Sequence, residues 1–220
     1  MKLPVVDRGY DIAATDSYIS MLQEEYNKIY AWGSELEKRA EAPAGEAASS
    51  EEIEALTPID VLRRAKKDVK VVGVGKKTIV SSHNIRITCD AETSEVSPNE
   101  DIEAVILPGG MPGTLNLEKS EKVNEFIDRA SSDGKLICAI CAAPSVLGHK
   151  NLLKGKTATC FPGFEKDLYG AVATGAPVER DGNIITARGM GVALEFGLKT
   201  VEALCGSEVA ESIKTSVQSE

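Results

Sequence analysis

"KLICAICAAPSVLG" (135–148) is an apolar run that stops on a thiol, Cys141, and passes at once into alanines and a proline. A short apolar run without polar alternation marks a strand covered on both faces. The small residues behind it fit a sharp turn. Pro144 fits the first turn of a helix, where its missing N–H is not needed. Strand, tight turn and helix in that order are the building unit of a parallel sheet.

Outward from this stretch the same alternation repeats. "EEIEALTPIDVLRRA" (51–65) has helical spacing, with Pro58 expected to kink it. "VKVVGV" (69–74), "IRITCD" (85–90) and "EAVILP" (103–108) read as strands. "SEKVNEFIDRASSDG" (120–134) is a helix with a serine cap and a closing glycine. "NIITA" (183–187) is a late strand, and "VALEFGLKTVEALCG" (192–206) a helix ended by Gly206. Short buried strands separated by helices predict a three-layer αβα sandwich, flavodoxin-like, around a mostly parallel sheet.

In such sheets chemistry gathers at the carboxyl ends of the strands. Ala139 and Ala143 stand two residues either side of Cys141, the spacing of small residues that a nucleophile elbow requires. A thiol at a helix start faces unpaired N–H groups, so its pKa is expected below the free value of ~8.5. "ILPGGMPGT" (106–114) reaches the same end of the sheet, and the amides of Gly110 and Ala142 are candidates to hold an oxyanion. The spacing alone leaves a second reading open, in which Cys141 is a small buried hydrophobe. Cys138 forms C-x-x-C with it but falls inside the strand pattern, so a core role is expected. Cys89 and Cys160 also read as packing residues, and His83 and His149 as surface or supporting groups.

Composition sets the outer limits. The chain has 220 residues, enough for one sizeable domain with an appendage, and its 42% hydrophobic residues suffice for a core without disulfides. A net charge of −9 would repel a phosphate backbone, so no nucleic-acid partner is expected. No window approaches the ~20 apolar residues needed to cross a bilayer, and the start lacks a signal-peptide pattern. Together with an odd, scattered set of five cysteines, this predicts reduced thiols, a cytoplasmic protein and no membrane partner.

Residues 1–50 differ from the rest. "TDSYISMLQEEYNKIYAWGSELEKRAE" (15–41) has helical periodicity, and "AEAPAGEAASS" (40–50) has the composition of a flexible linker. The domain division expected is therefore an atypical segment, 1–50, and a second domain, 51–220.

"EEIEALTPIDVLRRA", "VILPGGMPGTLNL", "AICAAPSVLG", "GKTATCFPGFE" and "DGNIITARGMGVALEFGLKTVEAL", in that order, resemble the ThiJ/PfpI superfamily, in particular the branch of the Parkinson-disease protein deglycase and its bacterial relatives. The likeness covers about Glu51 to Gln218. It implies that Glu54 hydrogen-bonds Cys141 and moves protons beside it, and it places Glu51, Gly109, Cys160 and Met190 around the pocket. It further implies a cofactor-free, metal-free enzyme acting on aldehydes, dicarbonyls or glycated adducts, as a glutathione-independent glyoxalase or protein deglycase, and a homodimer. A redox-sensing stress protein or chaperone using an oxidisable cysteine, and an inactive structural homologue, are the alternatives. Peptidase activity is not expected, because Ala142 stands where protease relatives carry histidine.

The chain departs from the family pattern in four places, one of them Asn84, at a turn position often held by glycine. The family opens with a central strand just before the "EEIE" helix, and "EAPAGEAASS" cannot supply one. Either "KLPVVD" (2–7) fills that place or the first 50 residues stem from a disrupted gene start; the expectation taken is the second. "RGMGV" (188–192) replaces R-G-P-G-T, changing a loop at the pocket. Cys160 stands near where some members carry a catalytic histidine.

Overall fold

The computed structural model describes Val5–Val6, Gly9–Tyr10 and residues 51–219. The chain divides into two units, Met1–Pro43 and Ala44–Glu220. In the first, β1 (Val5–Val6) pairs antiparallel with β2 (Gly9–Tyr10). The rest of the "KLPVVD" stretch, the helix expected at 15–41 and the linker at 40–50 lie outside the described residues.

The second unit opens with α1 (Glu52–Arg64), capped by Glu51, whose carboxylate accepts the Glu54 N–H at 3.0 Å. Acidic residues in its first turn and arginines in its last complement the helix dipole. The helix runs through Pro58 to Arg64. β3 (Val72–Gly73), β4 (Thr78–Val80), β5 (Arg86–Thr88) and β6 (Ala91–Glu92) follow as short strands. β4 and β5 form an antiparallel hairpin, while β3 pairs parallel with β6. "VKVVGV" thus contributes a strand of two residues rather than six, and "IRITCD" pairs within a hairpin.

The main sheet holds β7 (Ala104–Leu107), β8 (Leu136–Ile140), β11 (Val178–Asp181) and β12 (Ile184–Ala187), in the order β11-β12-β8-β7. β7, β8 and β12 are mutually parallel, and β11 closes one edge antiparallel. Helices α2 (Gly113–Lys119) and α3 (Glu121–Ser132) join β7 to β8, and α4 (Pro144–His149) follows β8. Two short strands, β9 (Thr157–Ala158) and β10 (Val172–Ala173), lie before β11. The chain ends on α5 (Ala193–Cys205) and α6 (Ser207–Ser216).

Every residue of β8 is buried, and alternate side chains serve opposite layers. Ile137 and Ala139 pack with Val123, Ile127 and Ala130 of α3 and with Val146 and Leu147 of α4. Leu136, Cys138 and Ile140 pack on the other face against Ala193 and Phe196 of α5. α1 and α6 cover the far side of α5 through Val61, Leu62, Ala210 and Ile213 around Val201. This three-layer sandwich is the architecture expected from the alternating pattern. Phe196, fully buried, is its largest completely enclosed side chain, worth about 3 kcal/mol of apolar transfer.

β7 ends the four-stranded sheet, and among the described residues no strand lies between it and β3. Two cavities of about 250 and 410 Å³ share Val72, Ala104, Ile106 and Pro108 in their walls. Among the described residues, Val72 of β3 and Ala104 and Ile106 of β7 thus face a common space, and the segment that the sequence analysis considered for a first strand lies outside the described residues.

Candidate active site

Cys141 sits one residue beyond β8 with φ +66°. That left-handed conformation costs a residue with a side chain about 1–2 kcal/mol, so the surrounding structure must impose it. Two backbone bonds do so. The Cys141 N–H donates to the Ala187 carbonyl at the end of β12, and the Phe161 N–H donates to the Cys141 carbonyl, both at 2.8 Å. The turn also needs small neighbours: Ala142 and Ala143 are essentially inaccessible, and Ala139 is fully buried. A larger residue at any of these positions would collide with the core.

Glu54 reaches the same point from the first turn of α1. It is 1% exposed, although a helix-start glutamate is ordinarily solvated. Its carboxyl hydrogen-bonds the Cys141 thiol and accepts main-chain N–H bonds from Gly109, at 3.1 Å, and from Met190. Gly109 is required by space. A Cβ there would lie 2.6 Å from Cys141 Cβ and 2.7 Å from Glu54 Oε2. The Glu51 N–H bonds the Gly109 carbonyl at 3.1 Å, tying the start of α1 to the loop after β7.

Protonation follows from this packing. Burial pushes the Glu54 carboxyl up to about 7; the bond with Cys141 and the N–H groups of Gly109 and Met190 oppose the rise, and the charge on Glu51 adds to it. The Cys141 thiol is pushed up to about 12, first by burial and then by the Glu54 charge, against the stabilising N–H groups of Gly110 and Ala142. This corrects the expectation that the helix start alone would pull the thiol below ~8.5. The amides face the sulfur as expected, but burial and the neighbouring carboxylate outweigh them. Cys141 and Glu54 therefore titrate as a pair, which loses its first proton near neutral pH and holds the second well above it.

The structure thus brings together Cys141, Glu54, Gly109, Gly110, Ala142, Glu51 and the main chain of Met190. The Met190 side chain is 53% exposed, and what it gives the site is its N–H. Cys160 is buried in the core on the α3/α4 side of the sheet, and burial with the Glu165 and Asp167 charges pushes its thiol up to about 11. It touches the site only through the chain, since the next residue, Phe161, holds the Cys141 carbonyl. Phe161 carried no mark in the sequence. Cys138 is wholly enclosed, accepts the Thr200 hydroxyl at 3.7 Å and is pushed up to about 12 by burial, which excludes a working dithiol with Cys141. His149 bonds Glu118 and packs on Tyr169, and His83 bonds Glu52.

A family model described as DJ-1/PfpI matches residues 46–203. The chain belongs to the DJ-1/PfpI family. It is 37% identical over 172 residues to the Parkinson disease protein 7 homolog of Danio rerio, covering 76% of this chain and 91% of that one. A deglycase of Pyrococcus abyssi is 31% identical over 141 residues, 63% of this chain and 83% of its own. The solved structure of oxidized Toxoplasma gondii DJ-1 superposes with a TM-score of 0.75 at 34% identity, covering 78% of this chain and 94% of that one. No helix among the described residues is long and apolar enough to cross a membrane.

Proposed function

We propose that the chain is a cofactor-free Cys/Glu enzyme that converts reactive dicarbonyls, or the early adducts they form on thiols and amines, to 2-hydroxy acids. The observation that carries this reading is the buried Glu54 carboxyl hydrogen-bonded to the Cys141 sulfur, with the Gly110 and Ala142 N–H groups on the same atom. The deglycase name of a relative at 31% identity supports it.

With methylglyoxal the sequence of steps balances without an external oxidant. Cys141 sulfur adds to the aldehyde carbon, forming a C–S bond, and the shared proton passes to the new alkoxide. Glu54 carboxylate then takes the hydrogen from that carbon and returns a proton to the neighbouring former ketone carbon, while the hydroxyl proton passes from the first oxygen to the second. The result is an S-lactoyl thioester on Cys141. Water adds to it, the C–S bond breaks, lactate leaves and the thiol regains its proton. The aldehyde carbon is oxidised and the adjacent carbon reduced within one molecule.

Lactate formation from methylglyoxal, followed in the full chain and in Cys141→Ser and Glu54→Gln, tests the proposal. Both variants are expected to lose activity by at least ~10²-fold, the scale of lost acid–base catalysis. Undiminished turnover in Cys141→Ser would end it. The redox reading is favoured by one observation: Cys141, like Cys205, is partly exposed, whereas Cys89, Cys138 and Cys160 are buried. Peroxide-dependent holdase activity that disappears in Cys141→Ser, without methylglyoxal turnover in the parent chain, would select that reading instead.

A further inference from the structure

Glu52, the first residue of α1, is 6% exposed. One of its oxygens, Oε1, lies 3.0 Å from His83 Nδ1. The other, Oε2, is buried and has no hydrogen-bond partner. The Ser81 hydroxyl and the Glu52 N–H stand by the same carboxyl, and the Ser81 oxygen accepts the N–H groups of His83 and Ile85 at 3.4 and 3.1 Å. An unsatisfied buried carboxylate oxygen costs about 1–3 kcal/mol or more, so it calls for a partner of opposite charge. Among the described residues the ion-pair partner of Glu52 is His83.

Glu51 completes the surroundings. One of its oxygens caps α1 through the Glu54 N–H, leaving the other available. Ligand atoms of Glu51, Glu52 and His83 lie within 4.8 Å of one another. Two donors at 2.0–2.2 Å from a common ion stand roughly 3–4 Å apart, so small rotations of the part-exposed Glu51 and of His83, whose side chain is 68% exposed, close the set. Two carboxylates and one imidazole match zinc and its first-row neighbours, whereas an all-oxygen set would be needed to favour calcium or magnesium.

We propose that Glu51, Glu52 and His83 form a binding site for a divalent transition-metal ion of the zinc class, at the start of α1, with neither Cys141 nor Glu54 among its ligands. The cation gives Glu52 Oε2 its missing partner and leaves one or more positions open to water. It ties α1 to the segment joining β4 and β5, which carries His83. The proposal does not depend on the catalytic reading, because the reaction above uses no metal.

Zinc alone is the probe, titrated calorimetrically into the full chain. The background is Cys141→Ser, so that the active-site thiol cannot be the ligand. One equivalent of zinc is expected to bind, with affinity reduced at least tenfold in His83→Ala and in Glu52→Gln. His83 is exposed, so its replacement does not threaten folding, and an unchanged circular-dichroism melt in the absence of metal checks this. Cobalt(II) gives a second readout: a visible spectrum of nitrogen and oxygen ligation, without thiolate charge transfer, lost in His83→Ala. No heat of binding in the background protein, or equal affinity in the two ligand variants, overturns the proposal.

Discussion

The sharing of one proton between Cys141 and Glu54 makes a prediction about thiol reactivity that an isolated cysteine cannot meet. With the carboxyl raised to about 7 and the thiol to about 12, the pair is singly protonated across the whole interval between. Within it the ratio of the two tautomers, thiol–carboxylate and thiolate–carboxylic acid, is independent of pH. Alkylation of Cys141 by iodoacetamide under pseudo-first-order conditions should therefore rise to a midpoint near 7 and then level. Two pH units below that midpoint about 1% of the pair has lost its first proton, so the rate climbs ~100-fold from about pH 5 to the plateau. Glu54→Leu removes the shared acid and leaves burial as the main influence on the sulfur. Its rate should fall at least ~10-fold at neutral pH and climb tenfold per unit up to and beyond ~8.5. Glu54→Gln, which keeps a hydrogen-bond donor, should lie between. A parent profile that keeps climbing tenfold per unit through about pH 9, or a Glu54→Leu profile that overlays it, would refute the shared proton.

Other consequences concern stability and space. Because folding raises the Glu54 carboxyl from 4.5 to about 7, its contribution is fully present below about 4.5 and is lost as pH rises through 7. Glu54→Gln should therefore match the parent chain in urea melts at about pH 4 and exceed it by up to ~3 kcal/mol at about pH 8, from a shift of ~2.5 units. Gly109→Ala places a methyl 2.6 Å from Cys141 Cβ and should abolish methylglyoxal turnover while costing about 1–3 kcal/mol of stability. Cys141→Gly should be more stable than Cys141→Ala by about 1 kcal/mol, since φ +66° penalises any Cβ; equal melting midpoints would deny the strain.

Much of this was readable from the chain, and for identifiable reasons. β8 was legible because burial on both faces forbids polar residues, so "LICAI" could hardly be anything else. The elbow was legible because its crowding demands small residues at fixed offsets, which Ala139, Ala142 and Ala143 meet. The termini of α3 and α5 were legible from Ser120, Gly134 and Gly206, whose conformations or caps are local properties. Glu54 was different. Only its likeness to a family position singled it out, because nothing in "EEIE" tells which glutamate will be 1% exposed. The pairing of Phe161 with Cys141, and the use of Met190 through its N–H, were invisible for a related reason: backbone contacts leave no trace in residue type. α6 and the edge strand β11 went unmarked, both having polar, part-exposed sequences.

The thiol's ionisation was misjudged for the same reason that Glu54 was hard to find. A helix start offers a sulfur roughly half a unit of positive charge, spread over several N–H groups and effective over one turn. Burial of the sulfur, with the full negative charge of the hydrogen-bonded Glu54 carboxylate added to it, is the larger quantity. Sequence shows the first and hides the second. Once both are in place, the buried acid no longer works against the nucleophile, because repulsion exists only while Glu54 is ionised. A proton on Glu54 removes the repulsion and adds a donor to the thiolate, so the two groups are competent only as a pair with one proton between them. That is the protonation state a hemithioacetal mechanism needs at its start, when the sulfur must attack and an acid must stand ready for the alkoxide.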